Sequence, residues 1–442
     1  MSNIQPIIKA LFLPVLIGLL IRVTLIAYTP EEGINASDLN VYRMVALELA
    51  NESESWTKQN GEFGYRAPLY FIYLAGIYKI TNSNSYHVGQ FANLFLFILI
   101  LGLLYSLVKE YFGTQVAVLV IWLRALLPVY VVNDVFLLSE VFFDVFFLIA
   151  IIIMFMRSSL LTSKWAPIVL GGSLVAATLT REYALAFLVI VIFVIIIEKI
   201  GDRRTKLHWL SLILLGAIVI MTPWAYRNTL VWGSPFPINL TTGVNLHIGN
   251  QPGATGTYMN LESGHQIPPD IKFGSRDFNR WHTQHAIDDV LANPFGFLKG
   301  GFVKIGWLLF PRAYRNEIHT LHFFPDLPRS VTWALIIGSG LSSAFLMLFG
   351  LIGLIMKSPD RYTWGTVTVF VTLCAVVFVS FGGPRFAESF SLLLIAPAIY
   401  ALTQRSQLLY LITNISYKSI ITLSGVGILM LFWAMIITIK FV

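Results

Sequence analysis

Asp38 and Tyr42 stand about ten residues beyond the end of a long apolar segment, 10–28, and the polar stretch they open returns to apolar sequence at Tyr65-Arg66-Ala67-Pro68-Leu69-Tyr70. A carboxylate held just outside a bilayer can serve as a general base toward a lipid-linked substrate. Two further polar groups lie at comparable junctions. One is Asn133-Asp134 with Ser139-Glu140; the other is Arg227-Asn228, running on into Gly243, Asn245, His247 and Asn250. An ionisable side chain near or within a bilayer costs several kcal/mol unless it is paired, so each is a functional candidate.

Every candidate also has a plainer role open to it. Asp38 could cap a helix over 39–50, and Asp134 and Glu140 could sit at helix ends where the dipole favours acids. Arg66 could rest on lipid phosphates. The glycines between Gly243 and Gly256 could serve tight turns alone.

The elements that must position these residues are set by composition. Of 442 residues 56% are hydrophobic and 12% charged, which leaves too few polar side chains to cover a soluble surface. A polytopic, all-α membrane protein is expected. Apolar stretches at 10–28, 87–108, 114–132, 138–156, 165–180, 183–198, 209–227, 331–356, 362–381, 387–403 and 419–439 predict about eleven transmembrane helices. The stretch 65–80 is short, interrupted by Pro68 and rich in Tyr and Phe, so it is expected to be interfacial.

Orientation follows from the basic residues of short loops. An N-terminus in the cytoplasm puts Lys9, Lys109, Arg157, Lys164, Lys199, Arg203, Arg204, Lys206, Lys357, Arg361, Arg405 and Lys418 inside, against Arg181, Arg385 and Lys440 outside. Two elaborated loops, 29–86 and 228–330, then face the periplasm, cell exterior or lumen of one membrane domain covering 1–442. Within the second, 288–292 and 295–309 have helical patterning, and Asn293-Pro294 is a helix start. The formal charge of +7 reads as membrane-facing loops, with no basic run of the kind that binds nucleic acid.

Arg124 and Asp144 lie deep in apolar stretches, at similar depth on either side of a turn near Val135, and are expected to form a structural ion pair. His282 and His285 share a helical face with Asp288, which reads as a solvated helix before a metal site. With one cysteine, Cys374, inside an apolar stretch, neither a disulfide framework nor a cysteine zinc site can form within the chain. No Walker or Rossmann fingerprint occurs, so a cytosolic nucleotide-sugar donor is disfavoured. No metal site and no required cofactor are expected; the acidic loop groups are compatible with a weakly bound divalent cation.

Asp38 with Tyr42, Tyr65-Arg66-Ala67-Pro68-Leu69-Tyr70, Leu138-Ser139-Glu140, Thr180-Arg181-Glu182, Pro223-Trp224 with Arg227-Asn228, Gly243-Val244-Asn245-Leu246 with Gly249-Asn250, and Pro384-Arg385-Phe386 occur in an order that resembles the bacterial integral-membrane GT-C glycosyltransferases. These are relatives of protein O-mannosyltransferases and the lipid A aminoarabinose transferase. The resemblance covers roughly residues 10–400, and it departs at Glu388-Ser389, where the family carries prolines. It implies a bacterial plasma-membrane enzyme that moves a sugar from a polyprenyl-phosphate donor to an acceptor lipid, glycan or protein on the outer face, with inversion.

An acceptor hydroxyl is a poor nucleophile, so such a displacement needs a base, the role expected of Asp38. Asp134 and Glu140 would face the substrate or orient that base. The departing lipid phosphate needs fixed cations, expected to be Arg66 and Arg385, with Arg181 behind them. Tyr42, Tyr65, Arg227, Asn228, Gly243, Asn245, His247 and Asn250 are expected to line the substrate. The rival class is a transporter or flippase for a lipid-linked glycan, against which the unequal halves and one-sided polar residues count.

Overall fold

The computed structural model describes residues 5–34, 38–59, 61–155, 163, 165–197, 202–259, 267–413 and 417–441. In chain order its helices are α1 (Gln5–Ile26), α2 (Asp38–Asn51), α3 (Leu69–Thr81), α4 (Tyr86–Leu126), α5 (Pro128–Val135), α6 (Ser139–Phe155), α7 (Ala166–Thr178), α8 (Leu185–Ile197), α9 (Arg203–Trp232), α10 (Thr242–Asn250), α11 (Arg276–Ala292), α12 (Pro294–Leu309), α13 (Arg329–Met356), α14 (Arg361–Val379), α15 (Pro384–Thr403), α16 (Arg405–Thr413) and α17 (Tyr417–Phe441). Among the described residues no strand occurs, and the β pairing is one isolated bridge between Phe63 and Arg66. Of the basic residues that suggest an orientation, Arg157, Lys164 and Lys199 lie outside the described residues.

Six described helices, α4, α9, α13, α14, α15 and α17, are long and apolar enough to cross a membrane, or up to seven spans if the bent pair α5–α6 is one of them. The chain is a multi-pass membrane protein. Of the eleven apolar stretches, 87–108 and most of 114–132 share the single helix α4, and those at 165–180 and 183–198 form the short helices Ala166–Thr178 and Glu182–Ile195, as Leu69–Thr81 does for the stretch 65–80. With 13 residues, α3 reaches about 20 Å against a hydrocarbon core of about 30 Å.

Breaks in the chain place the functional residues. The backbone of α4 leaves helical geometry at Gly113 (φ 81°, ψ 171°), between the apolar stretches 87–108 and 114–132. The second stretch ends early, at Leu127, since Pro128 cannot continue the ladder and instead opens α5. α5 and α6 then meet at 112°, so the polar residues 133–140 occupy an elbow inside the bundle.

Packing in lipid relies on close contact of small residues, because apolar burial from water no longer drives it. α7 crosses α9 so tightly that a Cβ on Gly171 would lie 1.9 Å from the Ile213 carbonyl oxygen, and one on Gly216 would lie 2.0 Å from that of Ile168. The polar segment 228–330 carries α10, α11 and α12, and its Leu240, Val244, Ile248 and Phe278 form a small core with Tyr65 of the first long segment. α12 starts where Asn293-Pro294 points, with the Asn293 side chain accepting from Gly296 N at 2.8 Å. The helical patterning at 288–292 is the tail of a longer helix, α11, whose first turn is capped by Ser275 accepting from Phe278 N.

Candidate active site

Asp38 is the first residue of α2, and its carboxylate is shared between two arginines from distant parts of the chain. Oδ1 pairs with Arg66 Nη1 at 2.8 Å, and Oδ2 with Arg385 Nη1 at 2.7 Å. Arg66 leaves the turn that begins at Glu62, where its backbone N–H donates to the Glu62 carbonyl and its Nε to Glu62 Oε2 at 2.7 Å. Arg385 sits in the irregular first turn of α15 and also grips Glu140, with Nε on Oε1 and Nη2 on Oε2 at 3.1 Å. Glu140, in the first turn of α6, pairs onward with Arg181 Nη1 at 2.8 Å.

The result is an alternating row, Glu62, Arg66, Asp38, Arg385, Glu140 and Arg181, in which three guanidinium groups meet three carboxylates. One end is open: the Asp38 side chain is 30% exposed, whereas that of Glu140 is 1% exposed. Tyr42 backs the row, its hydroxyl donating to Ser139 Oγ at 3.2 Å, which in turn accepts from Arg181 Nη1 at 3.4 Å. Burial pushes the Asp38 carboxyl up, but Arg66 and then Arg385 outweigh it and hold the group below its ordinary value.

Asp134 belongs to a different cluster. Arg124 holds it through Nη1 and Nη2, each at 2.8 Å, and Arg22 through Nε at 2.8 Å, with all three side chains fully buried. Both oxygens are occupied and sealed from solvent, so the expected substrate-facing or base-orienting role gives way to a fastener that joins α1, α4 and α5. The expected Arg124–Asp144 pair is corrected in the same way. The chain turns back at Leu127, between Arg124 and Asp134, which are ten residues apart, and not near Val135, so Asp134 meets Arg124 first while the elbow carries α6 away. Asp144 hydrogen-bonds Ser389 instead.

The candidates in and beside the segment 228–330 mostly make contacts within and between the two long polar segments. Arg227 donates from Nε to the Trp56 carbonyl (3.0 Å) and from Nη2 to that of Lys58 (2.8 Å), beneath the rings of Trp224 and Trp232. Asn228 is fully buried and donates to the carbonyls of Pro235 and Pro237. Tyr65 packs against Phe273 and Phe278, and Gly243 N–H donates to Asn279 Oδ1.

His247 shares a short Nδ1 to Nδ1 contact of 2.8 Å with His282, whose imidazole is pushed down to about 4 by burial and by its histidine neighbours. Asn250 ties α10 to the end of α14 by donating to Val379 O, and accepts from the buried ammonium of Lys304 at 2.7 Å. In these six the contacts tie the two long polar segments and the helix ends to one another.

Asn245 is the exception. It donates to Glu182 Oε1 at 2.9 Å, and Asn239 and Thr241 donate to the same carboxylate. This cluster forms the polar end of a groove of about 770 Å³ whose remaining wall is apolar, including Leu185, Val189, Ile218 and Val377. Leu185, Val189 and Ile218 are exposed, so the groove opens sideways toward lipid. Phe386, next to Arg385, lines it as well.

Sequence reasoning missed Arg22, Glu62 and Glu182. The four-residue spacing of Glu62 and Arg66 was a readable signal, and Glu182 lay inside a quoted motif without a role. Arg22 offered none. Among the described residues no group of three or more His, Cys, Asp or Glu is placed to hold a metal ion, and the acids of the row are taken up by arginines.

No protein-family model matches the chain, and no curated protein matches it in sequence. Among solved structures it is similar to the oligosaccharyltransferase of Archaeoglobus fulgidus in complex with Zn and sulfate, at 14% identity and a TM-score of 0.47, over 96% of this chain and 52% of that one. It is also similar to ArnT of Cupriavidus metallidurans bound to undecaprenyl phosphate, at 13% identity and a TM-score of 0.42, over 92% of this chain and 81% of that one. The chain spans about half the length of the archaeal protein.

Proposed function

We propose that the chain is an inverting membrane glycosyltransferase that moves a sugar from a polyprenyl-phosphate donor to an acceptor hydroxyl on the outer face of the membrane. The observation that carries this reading is a partly exposed carboxylate, Asp38, gripped by two arginines, one of which adjoins a groove open to lipid. The groove suits a polyprenyl chain, and Arg385 and Arg66 suit its phosphate, since a guanidinium presents fixed, permanently charged donors to phosphate oxygens.

In the reaction, Asp38 takes the proton of the acceptor hydroxyl while its oxygen forms a bond to the anomeric carbon. The bond from that carbon to the phosphate oxygen breaks, and its electron pair leaves on the phosphate. Glu140 and Arg181 act from behind, keeping Arg385 directed at both Asp38 and the phosphate.

The arrangement makes donor and base interdependent. With both arginines on its oxygens, Asp38 is a weak base, as its lowered carboxyl indicates. A phosphate competes for the same guanidinium groups. As it draws them away, Asp38 loses the charges that hold its proton affinity down, and it becomes a stronger base when the donor is in place.

The test is transfer by the purified full chain in detergent, supplied with polyprenyl-phosphate sugars and hydroxyl acceptors, beside Asp38→Asn. Wild type is expected to transfer and the variant to fall by about 10²-fold or more. Equal transfer by both removes Asp38 from the mechanism, and carrier movement across liposomes without transfer replaces the reading with a transporter.

A further inference from the structure

A second cavity, of about 1060 Å³, lies in the outer segments between α11 of the cap, the end of α9 and the first outer loop. Its lining differs from that of the groove. Gln59, Arg276, Asp277, Asn279, Arg280 and Gln284 present amide, guanidinium and carboxylate ends, with the half-buried indole of Trp232 as the main apolar plane.

We propose that this cleft binds a hydroxyl-rich, water-soluble ligand, an oligosaccharide, and so supplies the acceptor to the reaction; the inference rests on the glycosyltransferase reading for the word acceptor but not for the binding itself. Amide, guanidinium and carboxylate groups each carry two parallel donor or acceptor positions, which match the paired hydroxyls of a sugar ring. An indole plane gives the C–H face of such a ring an apolar partner. Both signs of charge are present, which suits a neutral or weakly charged glycan better than a polyanion. The volume lies just above the roughly 300–1,000 Å³ found for ligand sites, so several rings fit where one would rattle.

The walls are fixed before any ligand arrives. Arg276 Nη1 donates to the Trp232 carbonyl at 2.7 Å, Trp232 Nε1 donates to the Gln59 carbonyl at 3.2 Å, and Asn279 Oδ1 accepts from Gly243 N at 2.8 Å. Contacts of this kind lower the ordering cost of binding.

Position links the cleft to Asp38. Gln59 belongs to the loop that leads to Arg66, while Phe386 of the lipid-facing groove adjoins Arg385, and Asp38 is paired with both arginines. Pro237 lines both cavities, so the segment 236–240 separates a polar chamber from an apolar one. Acceptor on one side and lipid-linked donor on the other would then converge at Asp38, the partly exposed carboxylate paired with both arginines.

The experiment titrates maltoheptaose, as a neutral probe, and an oligomer of uronic acids, as an acidic one, into the purified full chain, with ligand-observed NMR as the readout. The wild type is expected to bind maltoheptaose saturably below roughly 10 mM and the uronic oligomer more weakly, and Asp277→Ala and Arg280→Ala, both at exposed positions, are expected to weaken binding by about tenfold or more. Lys299→Ala, exposed on α12 away from the cleft, and Asp38→Asn are expected to leave it unchanged. Absence of saccharide binding to the wild type, or binding that neither cleft variant weakens, overturns the inference. Binding that behaves as expected beside transfer that does not need Asp38 would instead overturn the proposed reaction alone.

Discussion

Among the described residues two clusters have one aspartate shared by two arginines, and they differ in one respect. Asp134 with Arg22 and Arg124 is fully buried, whereas Asp38 with Arg66 and Arg385 keeps between a fifth and a third of each side chain in reach of solvent. The chemistry of the groups is the same. In the sealed cluster no ligand can compete for the arginines, so the charges serve only each other and join three helices. In the open cluster, on the proposed reaction, the donor phosphate competes for the guanidinium groups, and the same pairing holds the proposed base in check until the donor is bound. Access, not the presence of charge, separates a fastener from a site.

The comparison can be broken at several points. Asp38→Asn is expected to lower transfer by about 10²–10⁴-fold while leaving the thermal midpoint nearly unchanged, since the site remains partly hydrated; the assay pairs transfer rate with thermal unfolding. Asp134→Asn should reverse that pattern, costing roughly 3–5 kcal/mol of stability because two buried arginines lose their counter-charge. A variant that folds normally but cannot transfer would contradict the fastener assignment. Arg385→Lys should reduce transfer by about tenfold or more and raise the KM for donor, because an ammonium cannot span Asp38 and Glu140 at once.

The pH profile sharpens the same contrast. Asp38 must be ionised to act, so activity falls as pH drops through its pKa. In the free enzyme that carboxyl is held below its usual value by Arg66 and Arg385 against the effect of burial, so the acid limb of kcat/KM is expected below the ordinary aspartate range. With donor bound and the arginines engaged, the acid limb of kcat is expected at higher pH. Coincident limbs would count against competition for the arginines. The same sign applies to stability: a depressed carboxyl contributes above its unfolded value and loses that contribution as pH falls through the folded one. Smallest of all should be Glu62→Gln, which removes a partly exposed pair and is expected to change rate and stability by less than about 1 kcal/mol.

Much of the site was readable because its signals are local. Asp38, Arg66, Glu140, Arg181 and Arg385 all stand at junctions between apolar and polar sequence, where a charged side chain needs a reason to be, and the folded chain brings all five into one row. The Asn293-Pro294 helix start was equally legible, since a cap acts within one turn. Arg227, Asn228 and Asn250 looked alike in sequence but went elsewhere, because they donate to the carbonyls of Trp56, Lys58, Pro235, Pro237 and Val379, and a backbone carbonyl leaves no mark on residue type. Arg124 was given the wrong partner for a related reason. Depth along two ideal antiparallel helices favours Asp144, and the elbow between α5 and α6 makes that geometry inapplicable.

Composition and apolar patterning by themselves determined that the chain lies in a membrane, where its polar excursions fall, and which charged residues stand at the boundary, because the cost of placing charge in hydrocarbon acts residue by residue. Only the tertiary structure decided which arginine meets which carboxylate, that one aspartate is sealed and the other open, and that one segment separates an apolar groove from a polar cleft. Those outcomes depend on distances between parts of the chain far apart in sequence, and Coulomb attraction and access to solvent are properties of such distances.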